Sequence, residues 1–393
     1  MQDGPLAPPP AAVLYVHSSA GRYGADRQLR LLATGLDPGR YRAVVALPGE
    51  GPLADELRTG GVPVLVRPLA VLRRALATPR GLAGVARAAG ADARALSDFA
   101  REQGVALVHS NTSVTLGGAA GARAAGLPHV WHVRESYDDV ARVWPAYRRV
   151  LTTAAALPCV SGAVAAQFAG ASGRARIRVV HDGLAVESRR APRAAARAAL
   201  GLPAEAFVVA VAGRLSTWKG QGVLVRALAE LPFAAIALLA GDAWAGDPGP
   251  ADDLRALAAD RGVADRLVLL GFREDIDTVY GAADVVAVPS TRPDPLPNAA
   301  LEAAAAGCCV VASAHGGLPE ILDEGRTGVL VPPGDPVALA GALAALREDP
   351  GRREELGGAA ARDVRARFAP ARLGEAMQAL YDEILRRWPR RAR

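Results

Sequence analysis

Every basic side chain in this 393-residue chain is arginine except Lys219. That lysine lies in the run Gly213-Arg214-Leu215-Ser216-Thr217-Trp218-Lys219-Gly220, between an apolar segment and a helix-like one. A compact ammonium on a flexible stem settles among phosphate oxygens where a planar guanidinium fork does not fit. Arg214 and Lys219 flank a helix start, which adds unpaired backbone amides and the positive end of the helix dipole. Two cations at a helix start are the parts of a diphosphate site that needs no metal. A solvated surface loop is the alternative reading.

A second constellation runs from Pro289 to Ala303. Pro293, Pro295 and Pro297 hold Asp294 in an extended loop, and Asn298 reads as the N-cap of the helix that follows. Glu302 then lies one turn inside a helix otherwise built of alanine and leucine. A lone carboxylate on such a buried helix is costly unless it meets hydrogen-bond donors, and a ribose diol supplies two. The alternative is an ion pair with an arginine of its own domain. The pair Asp275-x-Asp277 sits at a helix start, where acids complement the dipole, and is read as structural. Six scattered histidines show no metal-ligand spacing, so no metal is expected.

These loops need a scaffold, and the chain supplies one. Short apolar runs bounded by Gly or Pro alternate with helix-like stretches, the pattern of parallel strands covered by helices on both faces. In the first half the expected strands are 12–17, 43–47, 63–67, 107–109, 129–133 and 157–160. In the second half they are 207–212, 235–240, 267–270, 285–289, 309–313 and 328–331. Two α/β, Rossmann-like doubly wound domains follow, residues 1–187 and 206–370. Residues 188–205 carry charge and proline without a strand signal and read as a linker. Residues 371–393 carry an amphipathic C-terminal helix that either stays with its neighbours in sequence or crosses back to the N-terminal domain. In such sheets ligands bind beyond the carboxyl ends of the strands, where both constellations lie.

With 51% hydrophobic residues the chain is long enough to bury two cores. The N-terminal stretch lacks the pattern of a signal peptide and no apolar run reaches spanning length, so a cytoplasmic protein is expected. Cys159, Cys308 and Cys309 fit a reducing compartment and read as small buried residues. The net charge of +6 is uneven, because residues 1–187 carry 21 arginines against 14 acids and the remainder 25 basic against 26 acidic side chains. Aromatics make up only 5% and no basic run is interleaved with them, so no nucleic-acid partner is expected. The basic half, including Arg67, Arg73, Arg74, Arg80 and Arg87, suits a phosphorylated acceptor or peripheral contact with an anionic membrane at its inner face.

Taken in order, the motifs carry a resemblance. G-R-x(4)-K-G at Gly213 to Gly220 is followed by G-F-R at Gly271 to Arg273 and by A-A-D-V-V-A-V-P-S. Then come D-x(7)-E from Asp294 to Glu302, G-G-L-P-E at Gly316 to Glu320 and G-V-L-V-P-P-G-D at Gly328 to Asp335. The series resembles the retaining family 4 glycosyltransferases (group 1) of the GT-B fold, in which two Rossmann-like domains face each other across a deep cleft. The resemblance spans essentially the whole chain.

It implies a hexosyltransferase that takes its sugar from a nucleotide-diphosphate sugar, a UDP or GDP sugar, as substrate and holds no tightly bound cofactor. Arg214 and Lys219 would neutralise the diphosphate as the glycosidic bond breaks, and Asp294 would hold hydroxyls of the transferred sugar. Glu302 would bind the ribose and Arg273 would border the base. In the loop His17 to Asp26, Gly24 and Ala25 would approach phosphate or acceptor closely, and His132, in Trp131-His132-Val133-Arg134-Glu135, resembles the family histidine that touches the donor sugar. Ser161 and Asp182-Gly183 resemble further loops of the cleft. The family commonly has Glu followed by Phe-Gly where this chain has Asp294-Pro295-Leu296-Pro297. Leu296, Pro297 and Asn298 would border the donor, with the Asn298 amide serving phosphate because Pro297 has no N–H. The acceptor is expected to be a cell-envelope glycan, a lipid-linked intermediate or a small molecule. A sugar-nucleotide 2-epimerase and a non-catalytic nucleotide-sugar-binding protein are the competing functions.

Overall fold

The computed structural model describes residues 9–72, 79–137, 144–184, 187–243 and 249–388. The chain divides into two compact units, Met1–Ala185 with Pro370–Arg393, and Val186–Ala369. Arg73 and Arg74 of the basic cluster lie outside the described residues. No described helix is long and apolar enough to cross a membrane.

The first unit is built on seven parallel strands: β1 (Ala11–Val16), β2 (Tyr41–Leu47), β3 (Val64–Val66), β4 (Val105–Ser110), β5 (His129–Trp131), β6 (Ala156–Cys159) and β7 (Arg176–Val179). Their order is β3-β2-β1-β4-β5-β6-β7. The central strands read as uninterrupted apolar runs because helices cover both faces, and residues 12–16 of β1 are wholly buried. Six of the seven match the expected runs to within two or three residues at each end. The seventh, β7, was not expected. Its sequence, RIRV, alternates charge with aliphatic residues, as befits an edge strand with Val179 and Arg178 exposed.

The second unit carries six parallel strands: β8 (Phe207–Ala212), β9 (Ala235–Ala240), β10 (Leu267–Gly271), β11 (Val285–Val288), β12 (Val310–Ser313) and β13 (Val329–Val331). They are ordered β10-β9-β8-β11-β12-β13. In each sheet the winding direction reverses once, between β1 and β4 and between β8 and β11. Within each sheet, the two loops leaving that pair of strands therefore sit side by side at the carboxyl edge, the place where doubly wound sheets bind ligands.

One sequence expectation needs correction, and one alternative left open is decided. Residues 188–205 are not a bare linker, since Arg193–Ala199 is a helix belonging to the second unit. Its anchor is Arg197, 2% exposed, whose guanidinium donates to Asp284 Oδ2 at 2.8 Å and to the Ala282 carbonyl at 3.1 Å. Asp284 Oδ2 in turn accepts from the Val208 amide at 2.8 Å, so the buried charge is fully paired. An arginine on an alanine-rich helix gives no sign in sequence that it will be buried. The C-terminal helix, Pro370–Arg387, packs within the first unit. Leu373, Met377, Leu380, Tyr381 and Ile384 recur at helical spacing and join the core over β1, worth about 1.5–3 kcal/mol for each large side chain buried.

Candidate functional site

At the reversal of the second sheet, β8 ends at Ala212 and the chain turns through Gly213 into a short 3-10 turn, Thr217–Lys219, before the helix Gln221–Glu230. Neighbouring β11 runs into the proline-rich loop. The two loops are joined by backbone, with the Thr291 amide donating to the Trp218 carbonyl at 2.8 Å. Gly220 has φ +77° and a side chain there would run into the Pro289 carbonyl, so only glycine closes this turn. The outcome is that Lys219 Nζ lies 2.6 Å from Asp294 Oδ2, and 4.3 Å over the ring of Trp218. Ser290 Oγ donates to the same Asp294 oxygen at 3.3 Å.

The Asp294 backbone is also clamped. Its carbonyl accepts from the Gly317 amide at 2.8 Å, and a Cβ on Gly316, φ +61°, would strike the Asp294 main chain. The G-G-L-P-E motif is thus the seat on which the Asp294 loop rests. Leu296 and Pro297 are buried, and Pro297 rather than Asn298 is the N-cap of the helix Asn298–Ala305. Asn298 is the first helical residue because Pro297 already holds the extended angles of a cap. Glu302 is buried on this helix, 8% exposed. On the other loop, Gln221 Nε2 donates to the Arg214 carbonyl at 2.9 Å, which ties Arg214 to the helix start. Arg273 follows β10 and forks onto Asp275 at 2.8 and 2.6 Å. Asp275 itself caps the helix Ile276–Ala282 and Asp277 stands in its first turn.

The first unit gathers a different set at its own reversal. His132 follows β5, its amide bonded to the Ser110 carbonyl at 2.9 Å, and its ring is wholly buried. Burial holds its pKa well below the usual imidazole value, with the nearby Arg134 charge and His109 adding to the effect. Arg134 is anchored by Asp182, Nη1 to Oδ2 at 2.6 Å, and by the Asn111 carbonyl at 3.0 Å. Its Nη2 reaches both Asn111 Oδ1 and His132 Nδ1 at 3.4 Å. From Asn111 the network passes to His17 Nδ1 at 3.3 Å and to the Ala25 carbonyl at 3.2 Å, and from His17 Nε2 to Asp26 at 3.0 Å. Asp26 also accepts from Ser19 Oγ and from the Tyr23 amide. Gly24 opens the helix Gly24–Thr34 and is not among the glycines with positive φ. Ser161 serves as an N-cap, accepting from the Val164 amide at 3.2 Å.

Both halves of the chain match known families. Residues 23–188 match the family model described as Glycosyltransferase Family 4, and residues 192–363 match Glycosyl transferases group 1. The chain belongs to the family 4 glycosyltransferases. The fold of this glycosyltransferase chain is that of the GT-B enzymes. It is similar to the Anabaena protein HepE solved with UDP and glucose, at 27% identity, TM-score 0.81, over 94% of this chain and 99% of that one. A second likeness, to the sucrose-phosphate synthase of Thermosynechococcus elongatus, is one of fold alone, at 22% identity and TM-score 0.77 over 96% and 100% of the two chains. Among curated proteins it is 44% identical over 159 residues to the D-inositol 3-phosphate glycosyltransferase of Mycobacterium sp. (strain KMS), which is 40% of this chain and 36% of that protein. The Xylanimonas cellulosilytica protein of the same name is 39% identical over 225 residues, 55% and 53% of the two lengths. The chain thus spans roughly a third to a half of the length of these curated relatives.

Of this constellation Asn111 bears no mark in the sequence, while Arg134, His17 and Asp26 stand inside the expected loops without a role of their own. Arginine type carries no signal in a chain where nearly every basic residue is arginine. Spacing did offer one, since residues two apart in an extended segment share a face, and Arg134 follows His132 by two. Among the described residues no group of three or more His, Cys, Asp and Glu side chains is placed to hold a metal ion.

Proposed function

We propose that this protein transfers a hexose-type sugar, with retention of anomeric configuration, from a nucleotide-diphosphate sugar to an acceptor hydroxyl. The observation that carries this reading is the meeting of Lys219 with Asp294 at the reversal of the second sheet, beside Arg214 and the buried Glu302. A cation there neutralises the diphosphate as the bond from the anomeric carbon to phosphate oxygen breaks. Asp294 accepts from hydroxyls of the sugar, and Glu302 from the ribose diol. The new bond from the anomeric carbon to the acceptor oxygen forms on the face the diphosphate leaves, and the acceptor proton passes to a departing phosphate oxygen. Arg214 and Lys219 supply the positive charge, so a metal is not required by the reaction.

HepE was solved with UDP-glucose, which favours a UDP sugar as donor. The curated relatives are named for an inositol phosphate, and the excess of arginine in residues 1–187 suits such an anionic acceptor. The test is to incubate the protein with UDP-glucose and inositol 3-phosphate, with and without EDTA. UDP release that needs both substrates, survives EDTA and gives a product of retained configuration is expected. An epimerised nucleotide sugar formed without acceptor, or binding of UDP-glucose and of the other nucleotide sugars without turnover, overturns the reading.

A further inference from the structure

We infer that Arg134 is a positioning residue that fixes the tautomer of His132, so that the imidazole presents Nε2–H as a neutral hydrogen-bond donor at the carboxyl edge of the first sheet. A guanidinium can only donate. Arg134 Nη2, 3.4 Å from His132 Nδ1, therefore demands the lone pair of Nδ1 and leaves the proton on Nε2. The other tautomer would set an N–H against the guanidinium, and the imidazolium would set charge against charge inside a buried pocket.

The same guanidinium orients the rest of the network. By donating to Asn111 Oδ1 it turns the Asn111 NH2 toward His17 Nδ1, which puts the His17 proton on Nε2, where Asp26 Oδ1 receives it at 3.0 Å. Each donor in this series meets an acceptor until His132 Nε2, which is buried and has no partner among the described residues. A buried N–H left without an acceptor costs about 1–3 kcal/mol, and such groups in native proteins call for an explanation. An oxygen of the substrate is the acceptor that this end of the sheet would bring to it. Arg134 keeps its own place because Asp182, 4% exposed, takes Nη1 and the Asn111 carbonyl takes Nε. Lysine cannot replace it, since one ammonium cannot hold Asp182, Asn111 and His132 in a plane.

The tautomer follows from the first unit alone. Its consequence for turnover rests on the proposal that His132 touches the donor sugar. The experiment is nitrogen NMR of the full chain labelled with 15N-histidine, the His132 signals assigned by their loss in His132→Gln, alongside kinetics of Arg134→Lys. The wild-type protein should show the Nε2–H tautomer of His132. Arg134→Lys should show a mixture of tautomers, with kcat lowered by about a hundredfold, the magnitude of one lost transition-state donor, and the KM for donor changed little. An Nδ1–H or protonated His132 in the wild-type protein overturns the inference, and this measurement needs no variant to fold. So does an Arg134→Lys protein with the Nε2–H tautomer and full kcat. A correct tautomer with normal transfer by His132→Gln would instead overturn the role given to His132.

Discussion

Lys219 holds an ion pair with Asp294 in which the ammonium side chain is 22% exposed and the carboxylate 5%. In the proposed reaction, donor binding would move the ammonium from Asp294 to the diphosphate and free Asp294 for sugar hydroxyls. The face of Trp218 gives the cation a further contact beside Asp294. Lys219→Ala is expected to lower kcat/KM by about a thousandfold, the scale of a lost preorganised charge. Its effect on stability should be small, near ~1 kcal/mol, because the pair is partly exposed to solvent. Lys219→Arg keeps the charge and changes its shape, and should retain the melting temperature while losing most of the turnover. Steady-state kinetics with UDP-glucose beside thermal melts decide both, and full activity in the alanine variant would return Lys219 to a surface role.

Among the elements, the helix Pro370–Arg387 bears most directly on the first unit. It closes the core over β1 with an apolar stripe, and it inserts the Tyr381 hydroxyl into that stripe. The Tyr381 hydroxyl lies 2.6 Å from His109 Nδ1 and 3.1 Å from the Tyr15 hydroxyl, all three groups being buried. Tyr381→Phe keeps the ring and leaves His109 Nδ1 unpartnered, for an expected loss of about 1–3 kcal/mol. Tyr381→Ala removes the ring as well, which raises the loss to about 3–5 kcal/mol. Urea unfolding of the two variants separates these contributions, and a Tyr381→Phe protein with the wild-type midpoint would show that packing alone holds the helix. His109 stands beside His132, ring centroids 5.4 Å apart, so the helix at the end of the chain also walls the residue given a role in transfer.

At the scale of the whole molecule, the first unit buries three neutral imidazoles. Desolvation lowers His129 to about 3 and holds His109 and His132 well below the usual value. In the unfolded chain each takes a proton near pH 6.5, so below that pH the unfolded state binds more protons than the native one. Stability is then fully present above about pH 6.5 and falls as the pH drops, by as much as ~4 kcal/mol per pH unit when all three contribute. Asp182 acts in the opposite sense, since burial raises its carboxyl above the ordinary range despite Arg134, and it flattens the profile toward lower pH. Thermal melts between pH 7.5 and 5.5 should show a decline that sets in near pH 6.5, and a melting temperature independent of pH across that range would contradict it.

The sequence by itself determined what local chemistry can write. Twelve of the thirteen strands stand out as apolar runs, and the ordered motifs around Lys219, Asp294 and Glu302 mark the family. The edge strand β7 escaped because half of its residues face water and carry charge. Only the tertiary structure decided who meets whom. Lys219 and Asp294 are 75 residues apart and touch because β8 and β11 are neighbours across the reversal of the sheet. Arg134 and Asp182 are 48 apart, and meet where the segments beyond β5 and β7 leave the same edge. Strand order arises from packing every apolar face at once, so no short stretch of sequence contains it. A charged side chain looks alike in sequence whether it ends in water or inside the network that sets a proton on His132.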